Sequence, residues 1–299
     1  MGGPGPSWDL ISDVQLLLQY HFMQNAYLVG TAVALLAGAV GYFVVLRGQS
    51  FASHMLSQVG FPGAAAAVLL HVSPVLGLLG FCGAAALGVG TLGRRLEAGR
   101  RGESAAVGTI LAFALGLGLL FFRLEHGSAQ AIYAFLFGTI LGIADRDVVL
   151  TYAGAAVVVA VLAVIWRPLL FASVDPQVAD ARGLPVRALS LAFLLLLAAA
   201  IAETVQIAGT LLVFALLVAP GATAQRLSAR PASGLVLAIA LSLLVTWLGL
   251  AIAYFTGYPV GFFITSLAFA AYLLVRLVHA AQAVAARRAR PAAPARVPA

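Results

Sequence analysis

The stretch Ala26–Leu46, AYLVGTAVALLAGAVGYFVVL, contains no charged residue and is apolar almost throughout. A helix needs about 20 such residues to cross the hydrocarbon core of a bilayer, so this stretch predicts a transmembrane helix. The whole chain has the same character, because 63% of its 299 residues are hydrophobic, 9% are charged and the mean hydropathy is +1.05. Soluble domains carry about a quarter charged residues. The sequence therefore predicts an all-α, polytopic helical membrane protein.

Further apolar stretches bring the predicted number of transmembrane helices to about eight or nine. They are Met55–Leu70, Pro74–Leu92, Ser104–Phe122, Val148–Ile165, Ala188–Ala202, Val205–Val218, Gly234–Phe255 and Val260–Val275. Near Pro62 and Pro220 we expect broken helices, which transporters tolerate where protein or a cavity satisfies the backbone. The segment 131–143, AIYAFLFGTILGI, is too short to cross easily and is predicted to be a re-entrant or surface helix.

The basic residues indicate an orientation. All 17 are arginines, and most lie between spans or in the C-terminal tail. Arginine-rich connections stay in the cytoplasm, so the arginines of residues 93–103 predict an N-terminus outside and a C-terminus inside. Arg123 and Arg146 are then the only arginines outside. Membrane orientation accounts for the net charge of +7, and we expect no nucleic-acid partner.

Missing residue types exclude several chemistries. The chain has no lysine and one cysteine, Cys82. A Walker A loop and a Schiff-base enzyme both need a lysine, so neither is present, and no intramolecular disulfide can form. No H-E-x-x-H motif or pair of acids indicates an intramembrane enzyme. We expect a chain that is not an enzyme and binds no cofactor of its own.

The two ends differ from the central part. Residues 1–24 lack the basic start of a signal peptide and include LLLQYHFMQ, with His21, which predicts an interfacial helix on the outer surface. Residues 283–299 are rich in Arg, Ala and Pro and are predicted to be a disordered cytoplasmic tail. Residues 25–282 are then the transmembrane domain.

One connection is polar and carries helix-ending signals. In SVDPQVADARGLPVR, residues 173–187, Asp175 suits an N-cap, Pro176 the first helical position and Gly183 a left-handed C-terminal position. A short helix at about 175–184 on the cytoplasmic side could let a soluble partner move two transmembrane helices. The alternative is a loop that is helical without any such role.

Seven motifs occur in the order of a known family. They are the opening helix with its Leu-Arg exit, LSQVGFPGAAAA (56–67), ESAAVGTILAFALGLGLL (103–120), YAFLFGTIL (133–141), VDPQVADARGLP (174–185), VQIAGTLLVFALLVAPGATAQRL (205–227) and TGYPVGFFIT (256–265). Together they resemble the ABC-3 family, the membrane subunits of ABC importers for zinc, manganese or iron.

This resemblance implies a homodimeric permease in the bacterial cytoplasmic membrane. A solute-binding protein would deliver a divalent metal from outside, and a separate ATPase subunit would bind and hydrolyse ATP. The short helix would be the coupling helix that docks on this ATPase, through Asp175, Pro176, Val178, Ala179 and Gly183.

His54 and Gln58 are the metal-ligand candidates, because their i, i+4 spacing places both on one helix face. The family reads D-A-L-S-H-A where this chain reads H-M-L-S-Q-V, so His54 replaces its Asp and Gln58 its His. The resemblance implies a transient metal site here, with neutral ligands that favour zinc or another borderline metal over manganese. The alternative is that both side chains only hydrogen-bond between helices.

Other polar positions rank lower as pathway candidates. Glu203 and Gln206 are predicted at the outer turn between the sixth and seventh spans, and Pro62 and Pro220 occur in the similar phrases FPGAAAA and APGATAQ. The rival functions are a self-sufficient secondary transporter or exporter, and an ABC permease for a non-metal substrate. A secondary transporter would need a buried acid for ion coupling, and no predicted span has one in its middle.

Overall fold

The computed structural model describes residues 19–96, 100–124, 135–138, 140 and 142–289. Their regular structure is helical, in keeping with the all-α prediction. The helices are α1 His21–Leu46, α2 Ser50–Leu69, α3 Pro74–Leu96, α4 Arg100–Leu124, α5 Asp145–Val174, α6 Pro176–Ala181, α7 Val186–Leu227, α8 Pro231–Thr256 and α9 Val260–Ala289.

Helix α1 is the centre of the bundle, and 78% of the residues in an apolar 18-residue window of it are buried. It packs against α5, α7 and α8. Glycines let the backbones approach closely, since a Cβ at Gly38 would lie 2.7 Å from the Cα of Ile239 and one at Gly41 would collide with the carbonyl of Leu217. The stretch that predicts a membrane protein is thus the best-buried helix.

Seven of the described helices are long and apolar enough to cross a membrane, namely α1, α3, α4, α5, α7, α8 and α9. Helix α2 is not among them, because Ser53, His54, Ser57 and Gln58 make it more polar. It still runs antiparallel to α3 along its length: Leu56 pairs with Cys82, and Gly63 packs against Gly77. At 20 residues, it is about 30 Å long and matches a bilayer.

Helix α7 reverses its direction at Gly209. Its 42 residues would extend about 63 Å if straight, yet Phe193 and Leu217 both contact the same turn of α1. The rings of Phe193 and Phe43 are 6.0 Å apart, and Leu217 meets Gly41 two residues away. Gly209 has φ 76° and ψ 158°, so α7 consists of two limbs, α7a (186–208) and α7b (210–227).

The reversal corrects the predicted position of the turn. The sequence places it between Ala202 and Val205, where polar Glu203 resembles a span boundary, but α7a remains helical through both residues. The predicted breaks at Pro62 and Pro220 are also wrong, because α2 and α7b continue through these prolines. The backbone breaks instead at the glycine whose φ is positive.

The ends of the chain differ in part from the prediction. Residues 21–24 already belong to α1 rather than to a separate interfacial helix, and α9 continues to Ala289, inside the predicted disordered tail. The remaining residues of those two segments, 1–18 and 290–299, lie outside the described residues.

Candidate functional site

His54 and Gln58 lie one turn apart on α2, and both are half-buried. The imidazole of His54 meets the ring of Phe214 on α7b edge-on, with ring centroids 4.8 Å apart. The Nδ1 atom of His54 is buried and has no hydrogen-bond partner within the described part of the chain. The contact with Phe214, which the sequence alone did not indicate, therefore holds the imidazole without using this nitrogen.

The face of α2 that carries these two residues is incompletely covered by the rest of the chain. Phe51 and Val68 lie on the same face, 49% and 43% exposed, and Phe61 is half-buried. The face thus presents two polar side chains between apolar ones along the length of the bilayer. Among the described residues, no three His, Cys, Asp or Glu side chains come together as a metal site.

Glu203 and Gln206 lie elsewhere, in a cavity of about 230 Å³ between α3, α5 and α7a. The cavity is also lined by Asp147 and Thr151, near the start of α5. Gly154 makes room for Glu203, since a Cβ there would lie 2.6 Å from the carboxyl carbon. Sequence reasoning missed Asp147 as a neighbour of Glu203. The structure brings these two acids to one cavity, and His54 and Gln58 are not part of its lining.

Pro62 and Pro220 are buried, and each precedes a glycine where two helices cross closely. A Cβ at Gly63 would lie 2.6 Å from the carbonyl oxygen of Gly77, and one at Gly221 would lie 2.8 Å from that of Gly41. The two similar phrases of the sequence thus mark the α2–α3 and α7b–α1 crossings. Packing accounts for their small residues.

The turn at Gly209 packs on part of the segment that the sequence predicts to be re-entrant or superficial. Gly138 has φ +76° and meets the backbone of residues 207–209, and Phe135 packs against Gly60 of α2. A Cβ on either Gly138 or Gly209 would collide with the other's backbone. Residues 135–138 therefore enter the bundle, whereas residues 131–134, 139 and 141 lie outside the described residues.

The short helix predicted between α5 and α7 is present as α6. The carboxylate of Asp175 accepts a hydrogen bond from the backbone N–H of Val178, at 3.0 Å. Pro176 is the first helical residue, and Gly183 has φ +80° just after the last turn. The observed helix is shorter than the predicted 175–184, but its N-cap, first residue and glycine ending are as predicted.

Helix α6 sits on a small apolar cluster of its own. Ala179 is fully buried against Ala172 and Leu189, and three partly buried side chains complete the cluster: Phe171, Leu184 and Val186. Val178 points away and is 43% exposed. The helix is therefore fixed to the end of α5 and the start of α7 by one side, and its other side is open.

Comparison with known proteins decides the family. Residues 19–279 match the sequence profile of the ABC 3 transport family. The chain belongs to this family. The ABC 3 transport chain is 30% identical to the "Manganese transport system membrane protein MntC" of Listeria monocytogenes over 238 residues, 80% of this chain and 84% of the relative. It is 32% identical to the "Manganese import system permease protein ScaB" of Streptococcus parasanguinis over 250 residues, with 82% and 86% covered.

A solved structure supports the same fold for this ABC 3 transport chain. A chain of "PsaBC from Streptococcus pneumoniae in complex with Fab" superposes with a TM-score of 0.79 at 27% identity, covering 89% of this chain and 95% of that one. The ABC 3 transport chain is thus a multi-pass membrane permease of the metal-transporting type, and the family resemblance drawn from its seven motifs is confirmed.

Proposed function

We propose that this chain is the membrane permease subunit of a binding-protein-dependent ABC importer in the bacterial cytoplasmic membrane. Two copies would form a homodimer that moves a divalent metal ion, and a separate ATPase subunit would bind and hydrolyse ATP. The observation that carries the proposal is the similarity over four fifths of the chain to permeases named for manganese transport. Helix α2 supports it, because this helix presents polar side chains on an incompletely covered face.

His54 and Gln58 form a transient metal station in this proposal. A two-fold axis beside α2 would bring together two imidazoles and two amides, which completes the set that one copy lacks. Because Nδ1 of His54 is enclosed, Nε2 is the nitrogen that would bind the ion. All four ligands are neutral, so the station holds hard manganese weakly and favours zinc and other ions that prefer imidazole.

Substitutions on α2 test the station. His54→Ala should lower zinc uptake about tenfold or more, because it removes both imidazoles of the proposed dimer, and Gln58→Ala should lower it less. Metal uptake by cells that express the permease with its ATPase and binding protein measures this. His279→Ala on α9 is the matched control and should transport at the parent rate.

Restoring the family residues tests the ion preference. The double variant His54→Asp/Gln58→His should shift competition between zinc and manganese towards manganese, since a carboxylate adds an anionic oxygen ligand. Uptake of every tested ion at the parent rate by His54→Ala would show that the imidazole only packs against Phe214.

Two other regions have roles in the proposal. The open side of α6 would dock on the ATPase, with Asp175, Pro176 and Gly183 defining the helix, Ala179 anchoring it and Val178 available for contact. The cavity of Glu203, Gln206 and Asp147 is at the end of α5 remote from α6 and would receive the ion from the binding protein. Cation uptake that persists after deletion of the ATPase gene would favour a secondary transporter instead.

A further inference from the structure

Arg47 joins three helices at the end of the bundle that carries α6. It follows the last residue of α1, and its Nη1 donates a hydrogen bond to Ser173 Oγ at 3.0 Å, while its Nη2 donates to Ser190 Oγ at 2.7 Å. Ser173 lies in the last turn of α5 and Ser190 near the start of α7. One guanidinium thus hydrogen-bonds to both helices that flank α6, namely α5 and α7.

The two serines are oriented to accept these hydrogen bonds. Ser173 Oγ donates its own proton to the carbonyl of Leu169 at 2.6 Å, and Ser190 Oγ donates to that of Val186 at 2.9 Å. Each hydroxyl therefore presents lone pairs to Arg47. A planar guanidinium with a fixed fork of N–H groups can engage two such acceptors at once, which the single ammonium of a lysine does less well.

Aromatic side chains give the guanidinium a firm base. Its Cζ lies 5.5 Å from the ring centroid of Phe193, which is fully buried. Phe193 packs on Phe43 of α1, and Phe43 meets Trp166 of α5 edge-on at 5.1 Å. The three helices that Arg47 connects, α1, α5 and α7, are thus also packed together through these rings. We therefore expect a displacement of α5 and α7 to displace the end of α1.

Arg47 is also next to α2. Only Gly48 and Gln49 separate it from Ser50, the first residue of α2, and Gly48 adopts φ +68° in this sharp connection. His54 is one turn further along. The route from α6 to the polar face of α2 therefore passes through one side chain and a connection of two residues.

We propose that Arg47 is the positioning residue that transmits movement of α6 to α2, so that an event at the α6 surface changes the exposure of the α2 face. The proposal rests on the proposed function, because an ATPase bound at α6 supplies the movement.

The coupling ratio is the first test. In the reconstituted complex with ATPase and binding protein, Arg47→Lys and the double variant Ser173→Ala/Ser190→Ala should import about tenfold fewer ions per ATP hydrolysed, with the ATPase still bound and active. Arg226→Lys is the matched control, since Arg226 lies in the last turn of α7b, at the same end of the bundle, and its Cζ lies 5.6 Å from the ring centroid of Tyr272. It should keep the parent ratio. A merely structural Arg47 would lower the yield of folded complex and leave the ratio unchanged, which would overturn the proposal.

A second measurement follows α2 directly and does not depend on which ion is carried. Cys82 is fully buried, so a Phe51→Cys substitution provides an exposed thiol on α2. ATP should change its modification rate in the parent complex and not in Arg47→Lys. Equal responses in both complexes would overturn only the proposed link through Arg47, and the proposed function would stand. A parent complex that does not respond to ATP would overturn the proposed function and the link together.

Discussion

Gly209 and Gly138 show how two single residues determine the path of the chain. Gly209, with φ 76° and ψ 158°, occupies a backbone region that only glycine enters at low cost. Gly138 faces it with φ +76°, and neither position has room for a Cβ. Because both the dihedral angles and the contact require glycine, the reversal of α7 depends on this pair.

Gly209→Ala should therefore reduce the stability of the folded permease by more than the strain of about 1–3 kcal/mol expected from its dihedral angles alone. The added Cβ would also collide with backbone atoms of Leu136, Phe137 and Gly138. Gly116→Ala on α4 is the control, because, apart from its own helix backbone, no atom of the described residues lies within 4 Å of a Cβ at this position, and alanine favours a helix. The yield and melting temperature of the detergent-purified protein measure both. A Gly209→Ala protein that melts like the parent would contradict the assigned turn.

At the scale of elements, α6 is too short to be stable alone. Its six residues, Pro176–Ala181, are fewer than the about 12–15 that an isolated helix needs in water. Its stability comes instead from the N-cap of Asp175, the left-handed glycine at its end and the burial of Ala179. Any substitution that disturbs one end should therefore change the shape of the surface that α6 presents.

Gly183→Val should insert and fold but couple poorly to the ATPase. The position has φ +80° and open space around its Cβ, so the effect comes from backbone strain of about 1 kcal/mol or more rather than from a clash. Gly183→Asn should be milder, because asparagine tolerates left-handed angles. Gly257→Val has a similar φ of +71° and equal space between α8 and α9, remote from α6, and serves as the control. The rate of ATP hydrolysis stimulated by substrate measures the difference, and equal rates for the two valine variants would contradict a coupling role for α6.

For the whole molecule, the sequence predicts the elements better than their arrangement. Hydropathy locates the helices, because the length of an apolar stretch is a local property of the sequence. Asp175 and Pro176 likewise indicate where α6 begins, and Gly183 indicates where it ends. The turn at Gly209 is missed because its neighbours are equally apolar, whereas Glu203, which marks the wrong place, projects into a cavity from within α7a. The partners of Arg47 and the contact between His54 and Phe214 join residues far apart in sequence, and no local pattern indicates them.

The orientation of the whole molecule remains a prediction, which single cysteines can test. Cys82 is buried and should not react with a thiol reagent. Each of two substitutions then adds one reactive thiol: Tyr258→Cys in the exposed connection between α8 and α9, and Gln177→Cys on the exposed side of α6. An impermeant maleimide added to intact cells should label position 258 and not 177 if the N-terminus is outside. The reverse labelling pattern would invert the topology and move the ATPase surface away from α6.

The contact between Gly138 and the α7 turn has a consequence for biosynthesis. Residues 135–138 leave the ribosome before α7a and α7b, so the surface on which the hairpin rests is made first. A turn whose backbone polar groups face lipid is costly, and this surface shields the turn as soon as the second limb inserts. The limbs α7a and α7b can then pack together against residues 135–138, which have already been synthesised. The order of synthesis thus matches the order in which these segments come into contact.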